Sequence, residues 1–292
     1  MSNMKAWIMA TRPKTLSASI GPVILGSALA YYETSSHNWL IFSLILLTAI
    51  LLQVGTNLVN DYYDNERGID DDSRLGPTRV TQSGMIPTES VKRAFILVFG
   101  IAFLLGIYLM FSGGLPIVVI GVLSIFFAYS YTGGPLPLSY IGLGEVLALV
   151  FFGPVPVWGT NYLLTGSSSM NSAIAGLGPG LIAAALMSIN NLRDIESDSK
   201  TKKKTIAVLI GHKWARVMTL SFIILSSFIP LILNDLLEVK WAILTMLTPY
   251  LFIKSWLHIA RAPITSELNN HLANTGKYLL LFCLVLSFSI FI

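Results

Sequence analysis

Charged side chains are scarce in this sequence: they make up 12% of its 292 residues, whereas a soluble domain carries about 25%. Hydrophobic residues account for 54%, and the mean hydropathy is +0.70. This balance excludes an ordinary soluble domain and indicates an integral membrane protein. The net charge of +4 is small, and basic loops held by anionic lipid explain it without nucleic acid as a partner.

Cysteine is nearly absent, since Cys283 is the sole example and lies in an apolar run. A lone cysteine excludes an intrachain disulfide, and we interpret this one as packing in the core or against lipid. The N-terminus lacks a long apolar segment followed by a small-residue cleavage site. We therefore predict no cleaved signal peptide and a first span that directs its own insertion.

Nine stretches approach the roughly 20 apolar residues that cross a bilayer as a helix. They are Leu16–Tyr32, Trp39–Val59, Ala94–Ser112, Leu115–Tyr131, Gly142–Tyr162, Ala173–Ile189, Val217–Leu233, Trp241–Leu257 and Tyr278–Ile292. The last is short, and we expect it to begin near Leu272. Strict two-residue alternation typical of barrel strands is not seen. The sequence predicts an all-α, polytopic membrane bundle of nine transmembrane helices, forming one domain over residues 1–292.

Lysine and arginine are distributed very unevenly between the predicted loops. With the N-terminus placed in the cytoplasm, 18 of the 19 basic residues fall on the cytoplasmic side and Lys240 falls on the other. Positive charge favours the cytoplasmic side of a membrane protein. We therefore predict a plasma-membrane protein whose N-terminus and polar loops after spans two and six face the cytoplasm.

The loop after the second span begins with a polar cluster, NLVNDYYD, at the end of a strongly apolar helix. On a helix, Asn57 lies one turn before Asp61, and Asn60 lies one turn before Asp64. Asp70, Asp71 and Asp72 follow after Gly68, and at least one of these three is interpreted as a hydrated loop charge.

A second cluster follows the sixth span, in the stretch NNLRDIESDSKTKKKT. Asn190, Asp194 and Asp198 are spaced by four and are predicted to share one face of a continuous helix, with Glu196 pointing away. Stacked carboxylates repel one another, and desolvation near the membrane adds to that cost. A positive partner is therefore expected.

Carboxylate and amide oxygens are ligands that Mg²⁺ prefers, and it commonly shares them with substrate phosphates. Nine of the 15 acidic residues lie in the two clusters. Arg74 and Arg79 follow the first, while Arg193 and Lys202 to Lys204 lie in the second. This composition is typical of a diphosphate site. A solvated helix end explains either cluster by itself, but two matching clusters on one side favour a metal site.

The two polar stretches resemble the aspartate-rich motifs of the UbiA-type intramembrane prenyltransferases. The stretches TRPKTLSASIGPVILGSAL and YTGGPLPLSYIGLGEVLALVFFGPVPVWGTNY are similar to the 1,4-dihydroxy-2-naphthoate prenyltransferase branch of that superfamily. The resemblance extends from about Arg12 to about Gly211, and it implies a UbiA-like bundle of nine helices.

The resemblance implies roles for residues of both motifs. Metal ligands are implied at Asn60, Asp61, Asp64, Asp70, Asp194 and Asp198, of which Asp64, Asp194 and Asp198 are the catalytic candidates. Substrate contacts are expected at Arg12, Asn60, Arg79, Tyr131, Glu145, Asn190, Arg193, Lys203 and Lys204. Relatives carry a lysine after the fourth span, but this chain has Leu138 and Ser139 there, so that phosphate contact must come from elsewhere.

The activity implied is Mg²⁺-dependent transfer of a polyprenyl group from its diphosphate to 1,4-dihydroxy-2-naphthoate, with loss of diphosphate and CO₂. Tyr129 or Tyr131 would stack over an allylic cation, although either is equally typical of an interfacial aromatic belt. Glu145 is either a hydrogen-bonded carboxylate near the membrane edge or a contact to a hydroxyl of the acceptor.

Two other functions fit parts of the sequence. The same chemistry can act on 4-hydroxybenzoate, homogentisate, a naphthoquinone or a porphyrin-type alcohol. A cation or metabolite transporter would also use carboxylates, but near mid-bilayer rather than at helix ends. The histidines, His37, His212, His258 and His271, have no second ligand at metal spacing in the sequence, so we interpret them as interfacial.

Overall fold

In a computed structural model, every regular element among the described residues (3–68, 75–135, 137–201 and 203–291) is helical. The α-helices are α1 (Asn3–Thr11), α2 (Ser17–Thr34), α3 (Trp39–Glu66), α4 (Thr88–Ser130), α5 (Gly144–Phe151), α6 (Pro154–Thr165), α7 (Met170–Arg193), α8 (Ile195–Lys200), α9 (Ile206–Leu237), α10 (Ile253–Arg261) and α11 (Leu268–Ser289). Three 3₁₀ segments cover Pro13–Thr15, Leu138–Tyr140 and Lys240–Phe252. The prediction of an all-α membrane bundle is confirmed.

Within the described residues, seven helices are long and apolar enough to cross a membrane, or eight if the bent pair α1 and α2 forms one span. A straight helix with the 43 residues of α4 would be about 65 Å long, roughly twice the hydrocarbon thickness. It is instead broken at Gly114, whose φ is 64° and ψ is −154°. The count of nine transmembrane helices therefore stays a prediction. That count treats the two arms of α4, on either side of Gly114, as separate spans.

The predicted fifth span is interrupted in the middle, where α5 ends and α6 begins around Gly153. A Cβ atom on Gly153 would lie 2.4 Å from the carbonyl oxygen of Leu149 and 2.6 Å from that of Gly176. A Cβ on Gly180 would likewise meet the Leu149 oxygen at 2.4 Å. Small residues let two membrane helices approach this closely. The glycines of α7 therefore leave room for the backbone of the break between α5 and α6.

Several helices extend beyond the predicted apolar spans, because the apolar pattern marks the part in lipid and the helices continue into polar sequence. Helix α3 runs on to Glu66 and carries the first polar cluster, while α11 begins at Leu268 rather than near Leu272. The continuous helix predicted through the second cluster is wrong in one detail. Helix α7 ends at Arg193, and α8 starts after Asp194, which joins them with φ −94° and ψ 8°.

The largest buried core lies where α7, α9 and α11 meet, around Ile182, Ile189, Tyr278 and Phe282. Large apolar side chains such as Phe111, which is 88% exposed, cover the outside of the bundle. A membrane protein presents such a surface to lipid, so this exposure agrees with the membrane assignment.

Candidate active site

The first polar cluster lies on the last turns of α3, where Asn57, Asp61 and Asp64 are buried. Asn57 donates through its amide to the carbonyl oxygen of Thr11 at 3.0 Å, which fastens α3 to the end of α1. The Asn60 amide oxygen accepts from the hydroxyl of Thr132. The amides of this cluster therefore tie the end of α3 to two neighbouring segments.

Asp61 and Asp64 differ in what they contact. Asp61 accepts from the backbone amides of Val80 and Thr81, each at 3.3 Å, and from the Thr81 hydroxyl. Asp64 forms a buried ion pair with Arg79. Asp61 thus anchors the turn that carries Arg79, and Arg79 is held against Asp64. Metal ligation by Asp61 stays a prediction, as does ligation by Asp70, which lies outside the described residues.

The second cluster is organised around Arg193, which is 3% exposed. Its guanidinium donates to both carboxylate oxygens of Asp194, at 2.8 and 2.5 Å. It also donates to the side-chain oxygens of Asn190 at 2.8 Å and of Asn269 at 2.7 Å. A planar guanidinium with several donors suits this multiple contact, so Arg193 fixes Asn190 and Asp194 relative to α11.

Asp198 is buried on α8 and lies 3.5 Å from the Lys203 ammonium group. Burial raises the pKa of Asp198 to about 6, while Lys203 opposes that rise and Asp194 and Asp64 add to it. Lys203 also lies over the ring of Tyr140, at 5.5 Å from its centroid. The backbone amide of Lys204 donates to the Tyr140 carbonyl at 2.9 Å, which secures this basic segment.

The two clusters converge in space although they are more than a hundred residues apart in the chain. The charges of Asp64 and Asp194 both act on Asp198. Arg12, whose backbone is left-handed with φ 50°, is close enough to interact with Arg79, Asp61, Asp64 and Arg193. The structure therefore brings together the acidic and basic residues that the sequence placed in three separate segments.

A cavity of about 330 Å³ extends from this polar group into the membrane part of the bundle. Arg12, Asn57, Asn60 and Asn190 line its polar end. The remaining walls are mostly apolar and come from α2, α3, α4, α5, α6 and α7, with residues such as Leu109, Ile117, Phe151 and Leu163. A charged group at one end and mostly apolar walls elsewhere suit an amphiphilic ligand.

Tyr131 and Glu145 lie beside the cavity near its polar end. Tyr131 lines it and donates its hydroxyl to the Met187 sulfur at 3.1 Å, in range of the charges of Glu145, Asp198 and Asp64. Tyr129 instead shares a hydrogen bond of 2.5 Å with Tyr63. Glu145 is buried and accepts from Asn191 at 2.9 Å. Of the two tyrosines considered from the sequence, Tyr131 is the one facing the cavity.

Sequence reasoning missed several residues that shape the site. Arg67 donates to the carbonyl oxygens of Thr132 at 2.5 Å and Gly134 at 2.6 Å, and lies over the Tyr63 and Tyr140 rings. Desolvation raises the pKa of Tyr140, and Lys203 opposes the rise.

Asn269 donates to the Leu75 carbonyl at 2.7 Å. No sequence signal pairs these residues, since their partners are distant in the chain.

The donor set fits a divalent metal ion of the Mg²⁺ type. Asp64, Asp194 and Asp198 supply carboxylate oxygens, each paired with an arginine or lysine, and they lie one helical turn or two beyond Asn60 and Asn190, which line the polar end of the cavity. Because every one of these carboxylates has a cationic partner, the cluster combines negative oxygen ligands with positive groups. Hard oxygen donors close to basic residues match what Mg²⁺ and a phosphate group require together.

Two curated proteins that are similar to this chain over nearly its whole length share one name. The chain is 36% identical to 1,4-dihydroxy-2-naphthoate octaprenyltransferase of Haemophilus influenzae, over 99% of this chain and 96% of the relative. It is 34% identical to the protein of that name from Escherichia coli, over 100% of this chain and 97% of the relative. Both alignments cover the two polar clusters together with the rest of the bundle.

The fold is also shared with solved structures. A UbiA homolog from Archaeoglobus fulgidus, solved bound to GPP and Mg²⁺, has a TM-score of 0.64 and 16% identity, over 98% of this chain and all of its own. The sequence profile of the UbiA prenyltransferase family matches residues 19–268. The resemblance inferred from the two aspartate-rich stretches is therefore confirmed, and the chain belongs to the UbiA prenyltransferase family.

Proposed function

We propose that this protein transfers a polyprenyl group from its diphosphate to 1,4-dihydroxy-2-naphthoate, releasing diphosphate and CO₂ and giving demethylmenaquinol. One observation carries the proposal: two aspartate clusters and their basic partners converge next to Arg12, Asn60 and Asn190, which line the polar end of a mostly apolar cavity. The names of the Haemophilus influenzae and Escherichia coli relatives support the choice of naphthoate as acceptor.

Mg²⁺ would be held by Asp64, Asp194 and Asp198, with Asn60 as a neutral oxygen donor and Asp61 and Asp70 as further candidates. When bound, it supplies Lewis-acid stabilisation of the charge that develops on the leaving diphosphate. The A. fulgidus homolog bound to GPP and Mg²⁺ supports this choice of metal.

The basic groups of the site bind the diphosphate. Arg79, Arg193 and Lys203 each contact one of the three carboxylates. Arg12 lies at the polar end of the cavity beside them, and Lys204 follows Lys203. Guanidinium groups suit bidentate contact with phosphate oxygens, and together these cations offset the charge of a leaving diphosphate.

The chemistry divides between the two ends of the cavity. The allylic carbon–oxygen bond breaks, and diphosphate leaves with the electron pair. The apolar walls hold the prenyl tail and exclude water, which would trap the carbocation as an alcohol. The face of Tyr131 stabilises that cation, an effect of about 0.5–2 kcal/mol.

The acceptor completes the reaction. The ring carbon that bears the carboxylate is electron-rich and attacks the allylic cation, and a carbon–carbon bond forms. The carboxylate then leaves as CO₂ and returns its electron pair to the ring. Glu145, held by Asn191, would accept a hydrogen bond from a hydroxyl of the naphthoate. Asn190 would line the cavity beside the bound naphthoate.

We place the site at the cytoplasmic membrane edge of the cell. The support is the distribution of lysine and arginine, of which 18 of 19 lie on the side of the two aspartate clusters. The diphosphate and the aromatic acid are water-soluble at their polar ends, whereas the tail is soluble in lipid. A site at the boundary gives access to both.

The test is prenyl transfer by purified protein in liposomes, with and without Mg²⁺, using octaprenyl diphosphate and a panel of aromatic acceptors. We expect Mg²⁺-dependent product with 1,4-dihydroxy-2-naphthoate, reduced on the order of 10²-fold or more in Asp64→Ala and Asp194→Ala. Product with 4-hydroxybenzoate or homogentisate and none with the naphthoate would contradict the acceptor. No product with any acceptor, together with Mg²⁺-dependent solute flux into the liposomes, would contradict the enzyme and favour a transporter.

A further inference from the structure

A second group of metal-ligating side chains lies where α10 ends and α11 begins. One ligand atom each from His258, Glu267 and His271 lies within 4.8 Å of the other two. The Nε2 atom of His258 is 3.8 Å from a carboxylate oxygen of Glu267. The imidazole rings of His258 and His271 are stacked, with centroids 4.1 Å apart. The sequence interpretation of these two histidines as lacking a second ligand nearby is therefore wrong, since the turn between α10 and α11 brings them together, whereas their interfacial position stays a prediction.

Three of the four imidazole nitrogens in this group lack a hydrogen-bond partner among the described residues. Within the described part of the chain, His258 Nε2 and both ring nitrogens of His271 are buried and make no hydrogen bond. Buried polar atoms normally have a partner, and a native exception calls for an explanation such as an ion. A cation shared by the three side chains would supply that partner, because one ligand atom of each lies within 4.8 Å of the other two.

The surrounding backbone holds the group in place. Arg216 of α9 donates to the carbonyl oxygens of Ile259 at 2.5 Å and Ala262 at 2.6 Å. These contacts fix the end of α10, which carries His258. Glu267 is 60% exposed at its side chain, so it is free to adjust its rotamer. A tetrahedral ion with ligands at about 2.0–2.1 Å needs ligand atoms roughly 3.3 Å apart, which small side-chain movements provide.

The ligand types identify the class of metal. Two imidazoles and one carboxylate suit Zn²⁺ and related divalent transition metals, whereas Mg²⁺ prefers oxygen ligands alone. We propose that His258, Glu267 and His271 bind a divalent transition-metal ion, with Zn²⁺ as the best match, at a site separate from the aspartate clusters. Three protein ligands leave a fourth position for water or another ligand.

Such an ion would fasten the turn between α10 and α11. Asn269 lies in that first turn of α11, between two of the ligands, and bridges Arg193 to the Leu75 carbonyl. The metal site therefore stabilises the element from which Asn269 holds the second aspartate cluster. Its role is structural, since it joins the end of α10, which carries His258, to the start of α11, which carries His271.

The experiment is titration of untagged, chelator-treated protein with Zn²⁺ in excess Mg²⁺, which occupies the aspartate site and leaves imidazoles free. We compare wild type with His258→Gln, His271→Gln and Glu267→Gln. The matched control is His212→Gln, which changes an exposed histidine on α9. We expect one Zn²⁺ per wild-type chain, and binding weakened more than about tenfold by each ligand substitution but not by the control.

A spectroscopic readout and a thermal readout distinguish loss of the metal site from a folding defect in a variant. Co²⁺ in place of Zn²⁺ should give a visible spectrum typical of tetrahedral coordination with nitrogen ligands in wild type and not in His271→Gln. Zn²⁺ should raise the thermal unfolding midpoint of wild type and of His212→Gln, while metal-free wild type and His271→Gln unfold at similar temperatures. No Zn²⁺ binding by wild type, or binding unchanged in all three ligand variants, would overturn the proposal.

Discussion

The ammonium group of Lys203 lies 3.5 Å from the carboxylate of Asp198, and both side chains are largely buried beside the aspartates of the other cluster. Burial raises the pKa of Asp198 to about 6, and Lys203 limits that rise. Because Mg²⁺ binds the ionised carboxylate, a proton competes with the metal below this pH. We therefore expect the Mg²⁺ concentration for half-maximal rate to increase as the pH falls through 6, by up to about tenfold per pH unit.

Lys203→Met gives this pH dependence a direct test. Removing the ammonium group removes the influence that lowers the pKa of Asp198, so the loss of Mg²⁺ affinity should begin at a higher pH than in wild type. The control is Lys200→Met, which removes an exposed lysine from α8, the helix that carries Asp198. Identical pH profiles for wild type and Lys203→Met would contradict the proposed coupling.

The second prediction concerns the apolar part of the cavity. Gly106 lines the cavity, and a Cβ atom there would have only the terminal carbon of Met110 nearby, at 4.0 Å. The Cβ atom of Gly106→Leu therefore has room, and the rest of the leucine side chain would narrow the space for the tail. We expect kcat/KM for octaprenyl diphosphate to fall by at least about tenfold relative to that for geranyl diphosphate.

Gly100 provides the matched control for this change. It lies on the same helix, is exposed, and a Cβ atom there would meet nothing within 4 Å. Gly100→Leu brings the same gain in helix propensity without entering the cavity, so its preference for tail length should equal that of wild type. Equal preferences in both variants would show that Gly106 does not border the bound tail.

The third prediction separates the two carboxylates of the first motif. Asp61 accepts from the backbone amides of Val80 and Thr81, so Asp61→Asn turns amide hydrogens toward buried donors. We expect a loss of about 1–3 kcal/mol in the free energy of unfolding, measured by denaturant titration in detergent. Asp235→Asn, an exposed change on α9, should alter it by less than about 0.5 kcal/mol. Unchanged stability of Asp61→Asn with a lost Mg²⁺ response would instead identify Asp61 as chiefly a metal ligand.

The fourth prediction assigns Glu145 to the acceptor. Glu145→Gln keeps the shape of the side chain and an oxygen that can accept from Asn191, but removes the negative charge. We expect the KM for 1,4-dihydroxy-2-naphthoate to rise by about tenfold while the KM for prenyl diphosphate stays unchanged. The exposed change Glu196→Gln should affect neither constant. An unchanged acceptor KM in Glu145→Gln would remove this role.

Much of the fold and of the site was accessible from the sequence, for physical reasons that these residues illustrate. Apolar runs of membrane length predict helices, because backbone groups in lipid must pair within their own segment. Asp64 and Asp198 were placed in one site because carboxylates at membrane helix ends are costly unless they share a counter-charge. Local pattern and charge are properties that a sequence shows directly.

Other features depend on contacts between distant segments. The break between α5 and α6 at Gly153 follows from close packing against Gly176 of α7, which no local pattern reveals. Asp61 and Asp64 look alike in the sequence, but the turn at Val80 and Thr81 gives Asp61 a different set of contacts. His258 and His271 are 13 positions apart, and a turn rather than a helix repeat brings their rings together.

The most direct test of the account measures how the two aspartate clusters act on one ligand. Mg²⁺-dependent binding of an unreactive prenyl thiodiphosphate would be measured for wild type, Asp64→Asn, Asp194→Asn and the double variant. If both clusters hold the same metal–diphosphate group, each single change should abolish most of the Mg²⁺-dependent affinity, and the double variant should bind about as weakly as either one. Losses of free energy that simply add in the double variant would contradict a shared site.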